Sequence, residues 1–351
     1  MQANAYTAQG KAMYAYCSAN LASTEPRRVL SIRATAPEPL NALAGCSLEC
    51  LQTDRVYADR LQATGLAIVT NASGPFDLGL VEATKHRDEN HYHVALAWSL
   101  LREAGELVCV AANSLGGESL AKRLVLAGFP VLAVESKAKC RIIRIRRDAG
   151  RADPETLADW LALGDYRRNA DGLLSCPGSF SHHAVDAGTK LLCDTLPLPL
   201  RGRGADFGAG YGALSLHIAR GSPDLKGIDL YEAEWKALEA ARRNLSDLGG
   251  ASDIAYHWQD ITRLKTTRRY DWIAMNPPFH AGREAVPSLG RAFIARAAEA
   301  LSPGGTLFLV ANRHLPYEET LAEHFAEVVP TANRDGFKTI SARGLRAPGR
   351  R

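Results

Sequence analysis

Apolar and polar positions along the chain keep two rhythms, and in the second half these alternate. Residues 204–207 read as a strand, 213–220 as a helix stopped by Gly221-Ser222-Pro223, and 225–231 as a second strand. Residues 233–248 then read as a helix closed by Gly249-Gly250, 254–258 and 271–275 as strands, 289–301 as a helix, and 306–310 as a strand. Such alternation predicts an open α/β sheet. Within 289–301, Leu289, Phe293, Ala297 and Leu301 recur at fourfold spacing, which predicts one apolar stripe against that sheet.

The first half repeats the rhythm. Gly105-Glu106-Leu107-Val108-Cys109-Val110-Ala111-Ala112-Asn113 lines up with Gly304-Gly305-Thr306-Leu307-Phe308-Leu309-Val310-Ala311-Asn312 at an offset of 199 residues. Phe76-Asp77-Leu78-Gly79-Leu80-Val81 matches Tyr270-Asp271-Trp272-Ile273-Ala274-Met275 at an offset of 194. The repetition points to an internal duplication. Residues 137–151 hold seven basic residues against one acid, and Ala152-Asp153-Pro154 then breaks the pattern. The expected organisation is therefore a first domain at 1–150, a linker at 151–171 and a second domain at 172–351.

Composition narrows the class. With 351 residues, 46% of them apolar and 23% charged, the chain is neither disordered, collagen-like nor a coiled coil. Its apolar runs, such as 107–112 and 307–311, fall far short of the roughly 20 residues of a membrane span. Residues 1–17 lack the continuous apolar stretch of a secretory signal, so a cytoplasmic protein with no membrane partner is expected. Seven cysteines without a C-x-x-C pair argue against a disulfide scaffold or a zinc ribbon. His86, His91 and His93 have no partners at zinc spacing and read as solvated loop histidines, so no metal is expected. A net charge of +4 permits nucleic acid as a partner without requiring it.

The chemistry concentrates in the second half. Asp206-Phe207-Gly208-Ala209-Gly210-Tyr211-Gly212-Ala213 joins a predicted strand to a predicted helix. Glycines permit positive φ and close backbone approach, and the helix start beyond them offers free N–H groups. Gly208, Gly210 and Ala213 also satisfy the dinucleotide fingerprint, so the turn alone leaves a nicotinamide-dependent dehydrogenase open. A nucleoside ribose presents two hydroxyl donors, for which a carboxylate is expected at the end of the next strand. Glu232 ends that strand and is preferred, whereas Asp229 lies inside it. Asp260, after the third strand, either faces an adenine or is an ordinary turn aspartate.

Most telling is Asn276-Pro277-Pro278-Phe279, immediately after the strand at 271–275. Two prolines fix two φ angles, and Pro277 keeps Asn276 extended, which presets the Asn276 amide oxygen and the Pro277 carbonyl as acceptors. An exocyclic amine on a base is a poor nucleophile because its lone pair is delocalised into the ring. Two aimed acceptors draw its N–H bonds out of that plane, and Phe279 would stack on the base.

With these two motifs stand Cys176-Pro177-Gly178-Ser179-Phe180-Ser181, Asp186-Ala187-Gly188-Thr189-Lys190-Leu191-Leu192, Leu315-Pro316-Tyr317 and Gly336-Phe337-Lys338. Over about residues 172–340 the sequence resembles the class I S-adenosylmethionine-dependent methyltransferases, and within them the bacterial small-subunit ribosomal RNA guanine-N2 methyltransferases. The resemblance implies an α/β fold of two tandem Rossmann-like methyltransferase domains, the N-terminal one degenerate and serving structure or RNA positioning, the C-terminal one catalytic. It implies methylation of the exocyclic N2 amino group of a guanine, with S-adenosylmethionine as cofactor and ribosomal RNA or the small ribosomal subunit as partner.

On this resemblance Asn276, Pro277 and Phe279 are the catalytic candidates. Asp206, Gly208, Gly210, Gly212, Asp229, Glu232, Asp260, Thr189 and Asn276 are the cofactor-binding ones, and Phe180, His280 and Lys338 join Phe279 on the substrate. Glu82-Ala83-Thr84-Lys85 stands where the second half has Asn276 to Phe279, and no glycine-rich turn follows 29–32, so the first copy is expected to be inactive. Tyr211 replaces a small residue common among relatives, leaving open whether its ring folds over the cofactor or faces solvent.

Adenine-N6 and glutamine-amide methyltransferases use a related turn, and a non-catalytic RNA-binding assembly factor would keep the fold; Phe279 and the flanking signatures favour guanine. Phosphate contacts are expected from Arg141, Arg144, Arg146 and Arg147 and from Arg343, Arg346, Arg350 and Arg351.

Overall fold

The structure, a computed structural model, describes residues 2–21, 27–43, 45–147, 152–248, 253–278, 280–281, 284–285 and 287–346. The chain divides into two compact units, Met1–Asp165 and Tyr166–Arg351. In the first, β1 (Arg28–Ile32), β2 (Ser47–Leu51), β3 (Ala67–Val69), β4 (Phe76–Glu82), β5 (Leu101–Ala112), β6 (Val131–Lys137) and β7 (Cys140–Arg146) form one sheet in the order β3-β2-β1-β4-β5-β7-β6.

The second unit begins with a hairpin of β8 (Arg167–Arg168) and β9 (Leu174–Ser175). Its main sheet contains β10 (Gly202–Phe207), β11 (Leu225–Glu232), β12 (Asp253–Trp258) and β13 (Tyr270–Met275). A small hairpin of β14 (His280–Ala281) and β15 (Glu284–Ala285) precedes its last strands, β16 (Leu301–Asn312), β17 (Phe325–Arg334) and β18 (Phe337–Leu345). The order is β12-β11-β10-β13-β16-β18-β17, the first unit's order repeated strand for strand. In each sheet the first five strands of the order run parallel, and the sixth is antiparallel to both the fifth and the edge strand.

Central parallel strands are covered on both faces, so they read as mostly apolar runs. In the second unit Phe207, Ile273, Met275, Leu307 and Leu309 pack on one side with Phe293 and Ala297 of the helix Pro287–Ala300. Leu230, Ala274, Phe308 and Val310 pack on the other, with Leu214 and Leu238 from two further helices. The predicted stripe is present, although Leu301 enters the core as the first residue of β16 and not as part of the helix.

The duplication is real in topology, but its register differs by one residue from the sequence alignment. Leu78 pairs with Glu106 and Trp272 with Thr306, which makes Leu307 the equivalent of Leu107, an offset of 200. Side-chain direction shows why: Leu107, Cys109 and Ala111 share one core, as Leu307, Leu309 and Ala311 do in theirs. A one-residue slip would turn each of them to the opposite face.

Residues 151–171 do not form a linker. Asp153 caps the helix Pro154–Ala162 by accepting from the Thr156 N–H at 2.8 Å, and Trp160 of that helix stacks on His91 at 4.2 Å and on Phe129 at 5.5 Å. Those rings belong to the first unit's core, so the division falls after Asp165. His91 and His93 are likewise not solvated loop residues; both are buried on the helix Arg87–Leu100. Burial pushes the His91 imidazole down to about 4, so it is neutral at ordinary pH. Among the described residues, no helix is long and apolar enough to cross a membrane.

Candidate active site

The glycine turn sits where β10 gives way to the helix Ala213–Gly221. Gly208, Gly210 and Gly212 all have positive φ, +80°, +55° and +83°, a region that side chains with a Cβ enter only at a cost. The N–H groups of Gly208 and Ala209 both donate to the Tyr231 carbonyl, at 2.9 and 3.0 Å, tying the turn to β11. A Cβ added at Gly210 would meet nothing within 4 Å, so this glycine faces open space. At Gly212 a Cβ would stand 2.7 Å from Leu245 and 3.0 Å from Ala241, and this glycine serves helix packing.

Two carboxyls back the turn. Asp206 is buried and accepts from the Ser215 hydroxyl at 2.7 Å; burial, with the nearby Glu232 charge, raises it to about 7. Glu232 ends β11 and receives the Gly210 N–H at 2.8 Å on one oxygen and the Glu234 N–H at 2.8 Å on the other. Burial also raises Glu232 to about 7, against the opposing pull of those N–H donors. The Ala233 N–H also favours its charged form, which leaves the carboxylate at least one lone pair for an outside donor.

Asn276 follows β13 directly. Its amide nitrogen donates to the Thr189 hydroxyl at 2.8 Å and to Asp186 Oδ2 at 3.1 Å. Its Oδ1 is buried and has no hydrogen-bond partner. A buried acceptor without a donor is costly, and an N–H arriving from outside the protein would relieve that cost. Phe180, Thr189, Asp206, Gly208, Gly210 and Asn276 line one cleft together with Asp186 and Tyr211. Tyr211 is folded inward, its hydroxyl donating to the Ser181 carbonyl at 3.2 Å, and burial pushes its phenol up to about 12. Pro277 is buried behind the acceptor turn, while Phe180 is 61% exposed at the cleft.

Other residues singled out from the sequence lie elsewhere. Asp229 is fully buried and accepts from Arg203 at 2.9 Å, Arg268 at 2.6 Å and the Tyr270 hydroxyl at 2.6 Å. Burial alone would raise its carboxyl, but bonds from His257, Tyr270 and Arg268 outweigh that and hold it well below the usual carboxylate range. Its lone pairs are spent inside the fold, and it is not available to a ribose. Lys338 is also buried, paired with Glu318 at 2.6 Å, and does not line the cleft. Asp260 caps a short turn, accepting the Thr262 N–H at 2.9 Å and its hydroxyl at 2.7 Å, which is the ordinary turn aspartate of the two readings. Phe279 lies outside the described residues, as does the side chain of His280.

Most of the expected phosphate contacts are committed within the protein. Arg144 pairs with Glu106 at 3.7 Å and lies over the Tyr16 ring, and Arg147 donates to the carbonyls of Trp98, Ser99 and Leu101. Arg141 bonds Ser136, Arg343 is held by Glu327 at 2.7 Å, and Arg346 donates to the Phe325 carbonyl at 3.0 Å. Arg350 and Arg351 lie outside the described residues.

Two contributors escaped the sequence reading. Asp186 holds Asn276; the signal that could have found it is Asp186 ahead of Ala187-Gly188-Thr189, a capping residue before a helix that the sequence reading did not mark. Asn244 donates to the carbonyls of Leu174 at 2.9 Å and Tyr211 at 2.8 Å, which locks the β9 hairpin to the glycine turn. Its distance along the chain from both gave no signal.

A glycine turn facing open space, a carboxylate at the end of the neighbouring strand and an unpartnered amide acceptor fit S-adenosylmethionine and a base amine, and define a class I methyltransferase. The Methyltransferase small domain family matches residues 172–341. Ribosomal RNA small subunit methyltransferase C of Shewanella halifaxensis is 31% identical over 268 residues, covering 76% of this chain and 77% of that protein. The Escherichia fergusonii protein of the same name is 31% identical and covers 74% and 73%. A solved T. thermophilus 16S rRNA N2 G1207 methyltransferase, in complex with AdoMet and guanosine, superposes with a TM-score of 0.76 at 25% identity, covering 95% of this chain and 91% of that one. The chain belongs to the ribosomal RNA small subunit methyltransferase C family.

Proposed function

We propose that this protein methylates the exocyclic N2 amino group of a guanine in small-subunit ribosomal RNA, with S-adenosylmethionine as methyl donor. The observation that carries this reading is Asn276 Oδ1, a buried acceptor with no partner on a residue that lines the cleft. When bound, the cofactor supplies an electrophilic methyl group on a sulfonium. Gly208 and Gly210 leave room for it, and Glu232 accepts from the ribose. Asn276 Oδ1 and the Pro277 carbonyl accept the two amine N–H bonds, turning the nitrogen lone pair out of conjugation. Attack on the methyl carbon would break its bond to sulfur and leave a neutral thioether; as the nitrogen becomes cationic these acceptors bind it more strongly, and its extra proton passes to water, so no titratable base is needed.

The same two acceptors would suit an adenine amine, so the base must be read from the product. Incubation with the small ribosomal subunit, and separately with its free RNA, followed by nuclease digestion and mass mapping, is expected to show N2-methylguanosine. N6-methyladenosine, or no methylation of either substrate, would overturn the proposal. A ribosomal substrate places the reaction in the cytoplasm.

A further inference from the structure

We infer that Asp186 is a positioning residue for methyl transfer, fixing and polarising the Asn276 amide so that its oxygen, never its nitrogen, meets the substrate amine. The inference rests on the reading of Asn276 as the amine acceptor. The two ends of an asparagine amide are nearly equal in size and opposite in hydrogen-bonding sense, so its orientation is set by its neighbours. A serine or threonine hydroxyl can face either end, and Thr189 Oγ1, 2.8 Å from Asn276 Nδ2, therefore does not discriminate. A carboxylate only accepts. Asp186 Oδ2, 3.1 Å from the same nitrogen, draws the NH2 group toward itself and turns the unpartnered Oδ1 the other way.

The carboxylate is itself held. It caps the helix Ala187–Thr195, taking the Gly188 N–H at 2.9 Å and the Thr189 N–H at 3.3 Å. At Gly188 a Cβ would stand 2.9 Å from both Asp186 Oδ2 and the Phe337 ring, so the missing side chain clears the place the carboxylate occupies. One oxygen thus gathers two backbone donors and the Asn276 amide, and the amide cannot rotate without losing a charge-assisted bond. That bond also draws the amide electrons toward Oδ1, a cooperative effect that makes it a better acceptor as positive charge grows on the substrate nitrogen.

Asp186→Asn keeps the size but removes the charge: with its oxygen held on the cap it loses the polarisation of Asn276, and with its amide turned it loses the cap and the orientation as well. Asp186→Ser keeps a cap and does not reach. Single-turnover methylation with saturating RNA and cofactor is expected to slow roughly 10- to 100-fold in both, with the cofactor dissociation constant within about twofold of the parent. The decisive measurement repeats Asp186→Asn in an Asn276→Ala background, where it should change the rate no further.

A full additional loss there would show that Asp186 acts independently of Asn276 and would overturn the inference. So would an unchanged rate in the single variant, or a rate loss traced wholly to weaker cofactor binding. If Asn276→Ala itself transferred methyl groups at the parental rate, the proposed reading of the site would fail instead, so the two failures are distinguishable. Melting temperatures taken alongside register any loss of the cap, which cannot by itself produce non-additivity with Asn276.

Discussion

At Glu232 a single carboxyl is held between two backbone N–H groups and raised by burial to about 7. In the unfolded chain it titrates near 4.5, so its contribution to folding is complete below that value and is lost as pH climbs through about 7. Asp206, raised to about 7 from 3.8, acts with the same sign. Ribose hydroxyls prefer the ionised form, so cofactor affinity should rise between about pH 6 and pH 8, while the free protein loses stability from about pH 4.5 up to about pH 7. Glu232→Gln should flatten that rise and weaken binding about 10- to 100-fold at the upper end. Calorimetric titrations across the interval check this; an affinity that ignores pH in the parent would remove Glu232 from the ribose. Asp229→Ala should do the opposite, leaving affinity intact while lowering stability by about 3 kcal/mol in denaturant melts, since Arg203 and Tyr270 lose a buried partner. Glu232 and Asp229 stand three residues apart. Strand position favoured Glu232, but only the arginines converging from β10 and from just before β13 reveal what Asp229 does.

Elements were legible wherever apolar rhythm and glycine punctuation agreed. Strands β10, β11 and β13 and the turn after β10 lie where the sequence puts them, although Arg203, Asp206, Lys226 and Asp229 interrupt the apolar residues of β10 and β11, whose ends the flanking glycines marked. The pair β17–β18 was not foreseen: β17 lies mostly exposed at the sheet edge and carries no apolar run. Register was also beyond the sequence, since apolar residues fill both faces of β5 and β16 and a one-residue slip changes few hydrophobic matches. Within the glycine turn, the two ends have different duties. Gly210→Ala brings a Cβ into open space, so it should cost only the left-handed backbone strain, about 1–2 kcal/mol, but should weaken cofactor binding. Gly212→Ala adds an overpacked contact with Leu245 and Ala241 and should cost about 2–4 kcal/mol. Its cofactor affinity should be nearly unchanged wherever the variant is folded. Thermal melts paired with binding isotherms separate the two, and an equal loss of affinity in both would contradict this division.

In the whole molecule one fold is used twice, and strand pairing gives the equivalences without aligning sequences. Ile32 lies opposite Val81 as Phe207 lies opposite Met275, so Arg33 stands for Gly208 and Glu82 for Asn276. Leu51 pairs with Ile32 as Tyr231 pairs with Phe207, so Gln52 stands for Glu232. Each replacement closes the first site from within. Arg33 keeps the positive φ of the turn, +61°, but fills the approach with a side chain bonded to Thr53 at 2.6 Å and paired with Glu89 at 3.4 Å. Gln52 accepts the Asp54 N–H at 2.9 Å, as Glu232 accepts that of Glu234, yet it is a neutral amide and its nitrogen is spent on the Ala34 carbonyl at 2.7 Å. Glu82 is buried, and one of its oxygens already receives the Thr35 hydroxyl at 2.8 Å. The full-length chain should therefore bind one S-adenosylmethionine per polypeptide in a calorimetric titration, and Glu232→Gln should reduce that single binding event without uncovering another. A stoichiometry of two would mean that the first unit opens a site its own side chains now occupy. A fragment ending at Asp165, which keeps Trp160 packed against Phe129 and His91 where one ending at residue 150 would strip it away, should show no thermal shift with the cofactor.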